Sequence, residues 1–262
     1  MSGRPARRLS RRAVLLGGLA AGAAACGARV TPEAARDTAV PSPRSSPTPD
    51  PPGPASPEPG PEPTTRTAAV PLLCRDAWGA VPAAAGGRPH RVTGLMVHHT
   101  AAVLTDNRRA PARFASFQAG HQRRGWVDVA YHVGVDRNGH LYELRDPALA
   151  GDTATDYDPA GWFLVVADGN FEEQDPTDAQ LDGIARALAW GAGRWGLDPA
   201  GIVGHRDRAS TACPGRTLHA PVADGSFSAA VKGLLAAGGV ELTPTCGAEG
   251  DALVAAIRAG DA

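Results

Sequence analysis

The run from Pro41 to Pro63 places eleven prolines in 23 residues, interleaved with Ser, Thr, Asp, Glu and Gly. Each proline locks φ and removes a backbone donor, and almost no apolar side chain lies between them, so the stretch cannot supply a core. It reads either as a semi-rigid polyproline II spacer reaching about 70 Å, at roughly 3.1 Å per residue, or as a disordered tail. Both readings exclude residues 27–70 from the fold. Residues 71–262 then remain for one globular domain.

Upstream of the linker, residues 1–26 carry five arginines and no acid, followed by an apolar stretch from Ala13 to Ala25. That stretch is shorter than the roughly 18 residues a bilayer span requires, and a charged start, apolar centre and small-residue end form a signal peptide. The Arg11–Arg12 pair resembles the twin-arginine signal, with a general secretory signal as the alternative. Ala23-Ala24-Ala25-Cys26 admits two endings. Cys26 is lipidated, so that the chain is a membrane-anchored lipoprotein, or cleavage after Ala25 releases it. Both place the domain outside the cytoplasm. Once the segment is removed, 21 basic residues face 27 acidic ones, which leaves no basic excess for nucleic acid.

Within the domain, apolar runs at Leu95–Val97, Ala130–Val135, Leu141–Leu144, Phe163–Val166 and Ile202–Val203 read as strands, several too apolar to face water. Asn138–Gly139 marks a hairpin turn between two of them. Thr177-Asp178-Ala179-Gln180 begins a capping box, after which Leu181, Ile184, Leu188 and Trp195 share one helical face until Gly196. An earlier helix is expected over 111–123 and a last one over Leu253–Ile257. The fold class is therefore α/β: a central mixed β-sheet flanked by helices.

Two apolar strands run out into histidine, at Val97-His98-His99-Thr100 and Val203-Gly204-His205. Strand ends are where open sheets build sites. Eight residues beyond His205 lies Cys213, in a loop that Pro214 and Gly215 allow to turn back. Two imidazoles and one thiolate form a three-ligand zinc set, which keeps a fourth position for water and lowers its pKa toward about 7. The ligands are too dispersed along the chain for a zinc finger. A second chemistry is also open, with Cys213 as nucleophile and His205 as base.

Six motifs occur in order: RDAWGA at 75–80, VHHTA at 97–101, GWVDVAYH at 125–132, DRNGHLYE at 136–143, GNF at 169–171, and GHRD at 204–207 leading to CPG at 213–215. Together, over about residues 72–218, they resemble the peptidoglycan recognition protein family, zinc amidases related to phage amidase lysozymes. The resemblance implies a zinc-dependent N-acetylmuramoyl-L-alanine amidase acting on peptidoglycan, with one zinc per chain. The alternative within the family is a protein that binds the wall without cutting it. His98, His205 and Cys213 then take the ligand positions and Tyr131 that of the catalytic tyrosine, while Thr211 stands where phage relatives place a lysine. Such lysine chemistry is unavailable, since the chain's one lysine is Lys232. His99, Thr100, Trp126 and Asp158 are expected to border the substrate.

The segment Gly151–Phe163 departs from the family pattern. Thr153 stands for a His and Asp158 for an Asn, and the carboxylates of Asp152, Asp156 and Asp158 would repel an acidic stem peptide. Trp162 reads as a sugar platform or as core. With Cys26 and Cys213 assigned, Cys74 and Cys246 remain; outside the cell they are expected to pair, the alternative being two buried thiols.

Overall fold

The computed structural model describes residues 66–262; the segment 1–26 read as a signal peptide, with Cys26, and the proline-rich run lie outside the described residues. Among those residues seven strands form one sheet: β1 (Ala68–Leu73), β2 (Gly94–His99), β3 (Val133–Val135), β4 (Leu141–Glu143), β5 (Trp162–Ala167), β6 (Val203–Gly204) and β7 (Val240–Thr245). Their order is β6-β2-β5-β3-β4-β1-β7, with every neighbouring pair parallel except the antiparallel β3–β4 hairpin. Gly139 closes that hairpin at φ +85°, a conformation costly for any residue with a Cβ. Five helices accompany the sheet: α1 (Ala110–Arg123), α2 (Asp178–Trp195), α3 (Arg216–Ala223), α4 (Ser226–Ala236) and α5 (Gly247–Ala259). The expected mixed sheet flanked by helices is the architecture found. No helix among the described residues is long and apolar enough to cross a membrane.

Alternation along the strands divides the interior into two cores. Leu95, Val97, Phe163, Val165 and Leu141 face α2, whose Ile184, Ala185 and Leu188 cover them, with Phe227 and Val231 of α4 behind. Their sequence neighbours Val166 and Tyr142 face the opposite way, into a cluster built by Trp78, Phe114 of α1 and Val254 and Ile257 of α5. Close packing fixes the helix positions: Gly191 of α2 touches Phe163 and Leu95, where a Cβ would sit 2.8 Å from the Phe163 ring.

Helix α2 starts as its sequence predicts, Thr177 accepting from the Gln180 N–H, and ends at Gly196 with φ 64°. The capping box is only half formed. The Gln180 amide instead donates to Val135 O and Asp168 O, both at 3.2 Å, fastening the helix start to the ends of β3 and β5.

One finding differs from the sequence reading, and the expected cysteine pairing is present beside it. Strand β1 begins at Ala68, inside the 27–70 stretch read as linker, because Ala68–Leu73 pairs residue for residue with Val240–Thr245. That partner strand, β7, lies in the region after His219 where no motif is legible, so nothing local marked either segment as sheet. Cys74 and Cys246 directly follow the two strands; their sulfurs are joined, with Cα atoms 5.0 Å apart.

Candidate metal centre and cleft

The register of β2 against β6 builds the centre. Met96 and Val97 pair with Val203 and Gly204, so the next residue on each strand is a histidine. The rings of His98 and His205 lie 4.7 Å apart, centroid to centroid. Strand alternation separates the doublet: His99 turns toward Phe171, whose N–H it accepts at Nδ1 (3.3 Å), while His98 turns to the cleft floor.

Cys213 reaches the same floor through a tightly held loop. Arg206 N–H donates to Cys213 O at 2.8 Å, and the thiol receives the His99 N–H at 3.4 Å. Gly215 is required here twice over: its φ is +91°, and a Cβ would fall 2.5 Å from the Phe171 carbonyl carbon. Cys213 Sγ comes to rest 3.5 Å from His98 Nδ1.

His98, His205 and Cys213 offer donor atoms that all lie within 4.8 Å of one another, a group that could hold a metal ion. The chemistry of the set suits one. Burial drives His98 well below the ordinary imidazole range and, more mildly, lowers His205, so both rings are neutral and carry lone pairs. Nε2 of His98 is buried without a hydrogen-bond partner. Burial also pushes the Cys213 thiol up to about 12, so a bare thiolate is disfavoured there without a cation beside it.

Above the three side chains opens a cleft of about 330 Å³. Tyr131, Thr211, His99, Thr100 and Trp126 all line it. The Tyr131 ring lies 5.0 Å from that of His98, and burial raises its phenol well above the usual range, so the hydroxyl remains a donor. Thr211 Oγ1 accepts the Cys213 N–H at 3.2 Å. The Thr100 hydroxyl is engaged by Asp168 (2.8 Å) and Gly169, leaving little for a substrate. A larger groove of about 470 Å³ runs between α2 and α4, but it is mostly apolar, with Asp182 its one ionisable residue.

Asp158 requires correction. Its carboxylate pairs with Arg88 on the surface, both side chains more than half exposed, and does not line the cleft. The residues of that segment that do enter are Asp152, Thr153, Ala154, Thr155 and Tyr157. His121 and Arg124 also line it, the first packed on Trp126 at 4.7 Å and the second over the same ring at 5.7 Å. His121 was legible only as a helical position, and nothing local placed Thr155 or Tyr157 at a metal centre. Trp162 covers Gly94 at the start of β2, away from the cleft, with the Arg208 guanidinium 5.2 Å above it.

Comparison with known proteins gives the chain's family. The N-acetylmuramoyl-L-alanine amidase family profile matches residues 88–216. Human N-acetylmuramoyl-L-alanine amidase is 34% identical over 155 residues, 55% of this chain but 26% of the human protein, so the chain spans about a quarter of that relative's length. Mouse peptidoglycan recognition protein 1 is 31% identical over 150 residues, which cover 55% of this chain and 82% of the mouse protein. The chain belongs to the peptidoglycan recognition protein family. A mutant of Drosophila PGRP-LB, solved in complex with tracheal cytotoxin, superposes with a TM-score of 0.52 at 26% identity, covering 58% of this chain and 92% of the other.

As a peptidoglycan recognition protein, the chain keeps its cleft inside the matched region. Strand β1, helices α4 and α5, strand β7 and the Cys74–Cys246 bridge all lie outside residues 88–216. Strands β1 and β7 extend the sheet at the edge remote from β6, and none of these elements lines the cleft.

Proposed function

We propose that this peptidoglycan recognition protein is a zinc hydrolase that cleaves the amide bond between N-acetylmuramic acid and L-alanine. The observation that carries the reading is the meeting of Cys213 with His98 and His205 on the floor of a cleft, beside a protonated tyrosine. His98, His205 and Cys213 would hold the metal, which supplies Lewis-acid polarisation of the carbonyl and activation of water at neutral pH. Tyr131 donates its hydroxyl proton to the oxygen that becomes negative as the carbonyl turns tetrahedral. Thr211 braces the Cys213 loop through its oxygen and keeps its own proton free to donate into the cleft. Trp126 offers an aromatic face to the substrate.

Two other readings are weaker on stated grounds. A binding-only protein needs neither a buried thiol nor two neutral imidazoles converging on it. A cysteine nucleophile needs an accessible thiolate, whereas burial disfavours ionisation of Cys213 and its near imidazole is His98, 3.5 Å away. Metal-replete and chelated protein incubated with purified peptidoglycan distinguishes all three. Stem peptides released only by the metal-replete form support the amidase; tight binding with no release supports recognition alone; release that survives chelation but not thiol alkylation supports the cysteine hydrolase.

We further propose that the domain works outside the cytoplasm, held to the membrane by a lipid on Cys26 and spaced from it by the proline-rich run. The residues concerned are legible in sequence alone. Cell fractionation of a Cys26→Ala protein tests this: loss from the membrane fraction is expected, and unchanged membrane abundance overturns it.

A further inference from the structure

His205 is gripped by a residue that no ligand set includes. Thr155 Oγ1 lies 2.8 Å from His205 Nε2. Thr155 is itself bound to Thr153, hydroxyl to hydroxyl at 2.8 Å, and donates its own N–H to Thr153 Oγ1 at 3.1 Å. On the other side the Tyr157 ring packs against the His205 ring with centroids 4.6 Å apart.

The segment that delivers these side chains is fastened at both ends. His90 joins its limits, Nε2 meeting Pro147 O at 3.0 Å and Nδ1 accepting the Gly161 N–H at 2.8 Å. His132 does the same one layer deeper, with Leu149 O at 3.0 Å and the Leu164 N–H at 2.9 Å. Buried Arg145 binds Ala150 O and the Asp152 carboxylate. With its segment anchored on both sides and its hydroxyl bonded to Thr153, Thr155 has little freedom to leave the imidazole.

Proton counting leaves two arrangements. In one, Thr155 donates to Nε2; the ring proton then sits on Nδ1, and neither nitrogen keeps a lone pair for a metal. In the other, Nε2–H donates to Thr155 Oγ1, the Thr155 hydroxyl donates in turn to Thr153 Oγ1, and Nδ1 is bare. Only the second is compatible with the metal-centre reading, on which this inference rests.

We propose that Thr155 is a positioning residue of the metal centre: it accepts the Nε2 proton of His205, fixes the tautomer that presents Nδ1, and is oriented for this by Thr153. The stretch in which this chain departs from its family's pattern thereby acquires a role, as outer support for one ligand. A histidine ligand commonly donates its second N–H to such a partner, and loss of the partner costs about 10- to 100-fold in metal affinity.

The test uses the full chain and zinc itself. Zinc affinity is measured by competition with a chelating dye for wild type, Thr155→Val and Thr155→Ser, and the His205 tautomer is read from imidazole ¹⁵N shifts in the metal-free protein. Thr155→Val is expected to bind zinc about 10- to 100-fold more weakly and to mix tautomers, while Thr155→Ser restores both readouts. Wild-type affinity in Thr155→Val, an Nδ1–H tautomer in wild type, or a Thr155→Ser protein as weak as the valine variant would each overturn the proposal. If wild type binds no zinc at all although His205 carries its proton on Nε2, the metal-centre reading fails first, and the Thr155 bond is then structural.

Discussion

His98 and His205 each directly follow the last paired residues of neighbouring parallel strands, Val97 and Gly204, and their rings lie 4.7 Å apart. Strand register alone therefore brings them together, and the Cys213 loop closes over the pair. His205→Ala and Cys213→Ser should each abolish the one zinc expected per chain, because two donors remain where three are needed. Elemental analysis of purified wild type and variants checks this; equal zinc in the variants would place the metal elsewhere.

Tyr131→Phe removes a hydroxyl and keeps the ring that packs beside His98. Zinc content and fold should persist, while release of stem peptides falls on the order of 10² to 10³, the usual cost of one oxyanion donor. Peptidoglycan affinity should change far less, since a group acting mainly in the transition state adds little to ground-state binding. A variant that releases stem peptides as fast as wild type would make Tyr131 a structural residue.

Burial pushes His132 down to about 3 from an ordinary value of 6.5, opposed by its bond to Leu149 O and assisted by His90 and Arg145. Between those values the unfolded chain binds the extra proton and the folded one does not. The stabilisation is therefore complete above about pH 6.5 and is lost as pH falls toward 3, at about 1.4 kcal/mol per pH unit well inside that window. His90, lowered chiefly by burial, adds in the same direction. Urea titrations from pH 4 to 6 should show a shallower loss of stability in His132→Gln than in wild type; equal slopes would refute the assignment.

The Cys74–Cys246 bridge closes a loop of 172 residues in sequence separation, tying the ends of β1 and β7. Chain entropy favours long loops, and the double substitution to serine should cost about 2–5 kcal/mol of unfolding free energy. The cleft lies on other strands, so zinc affinity should stay near wild type under conditions where the variant is folded. A denaturation midpoint unchanged from wild type would show that the parallel β1–β7 ladder alone secures this edge.

Signals that act within a few residues are legible in the amino-acid sequence itself. The start and stop of α2, the Asn138–Gly139 turn and the runs that end in His98 and His205 depend on capping, backbone preference and apolar patterning, all of which are local. The six ordered motifs, RDAWGA to CPG, likewise point to the family and to His98, His205 and Cys213 as the group that could hold a metal.

Other features depend on contacts between distant segments. Ala68–Leu73 became sheet because Val240–Thr245, far along the chain, offered a matching strand, and neither run announces this by itself. His98 and His99 were an undivided doublet until the sheet had two distinct faces: both border the cleft, but His99 stacks on Phe171 while His98 meets His205 and Cys213. Asp158 and Thr155 sit three residues apart on one irregular segment, yet one pairs with Arg88 at the surface and the other holds His205. A segment without helical or strand period gives its side chains no rule of direction. Their direction was decided by anchors at His90, His132 and Arg145, through burial and hydrogen bonds that exist only once the chain has folded.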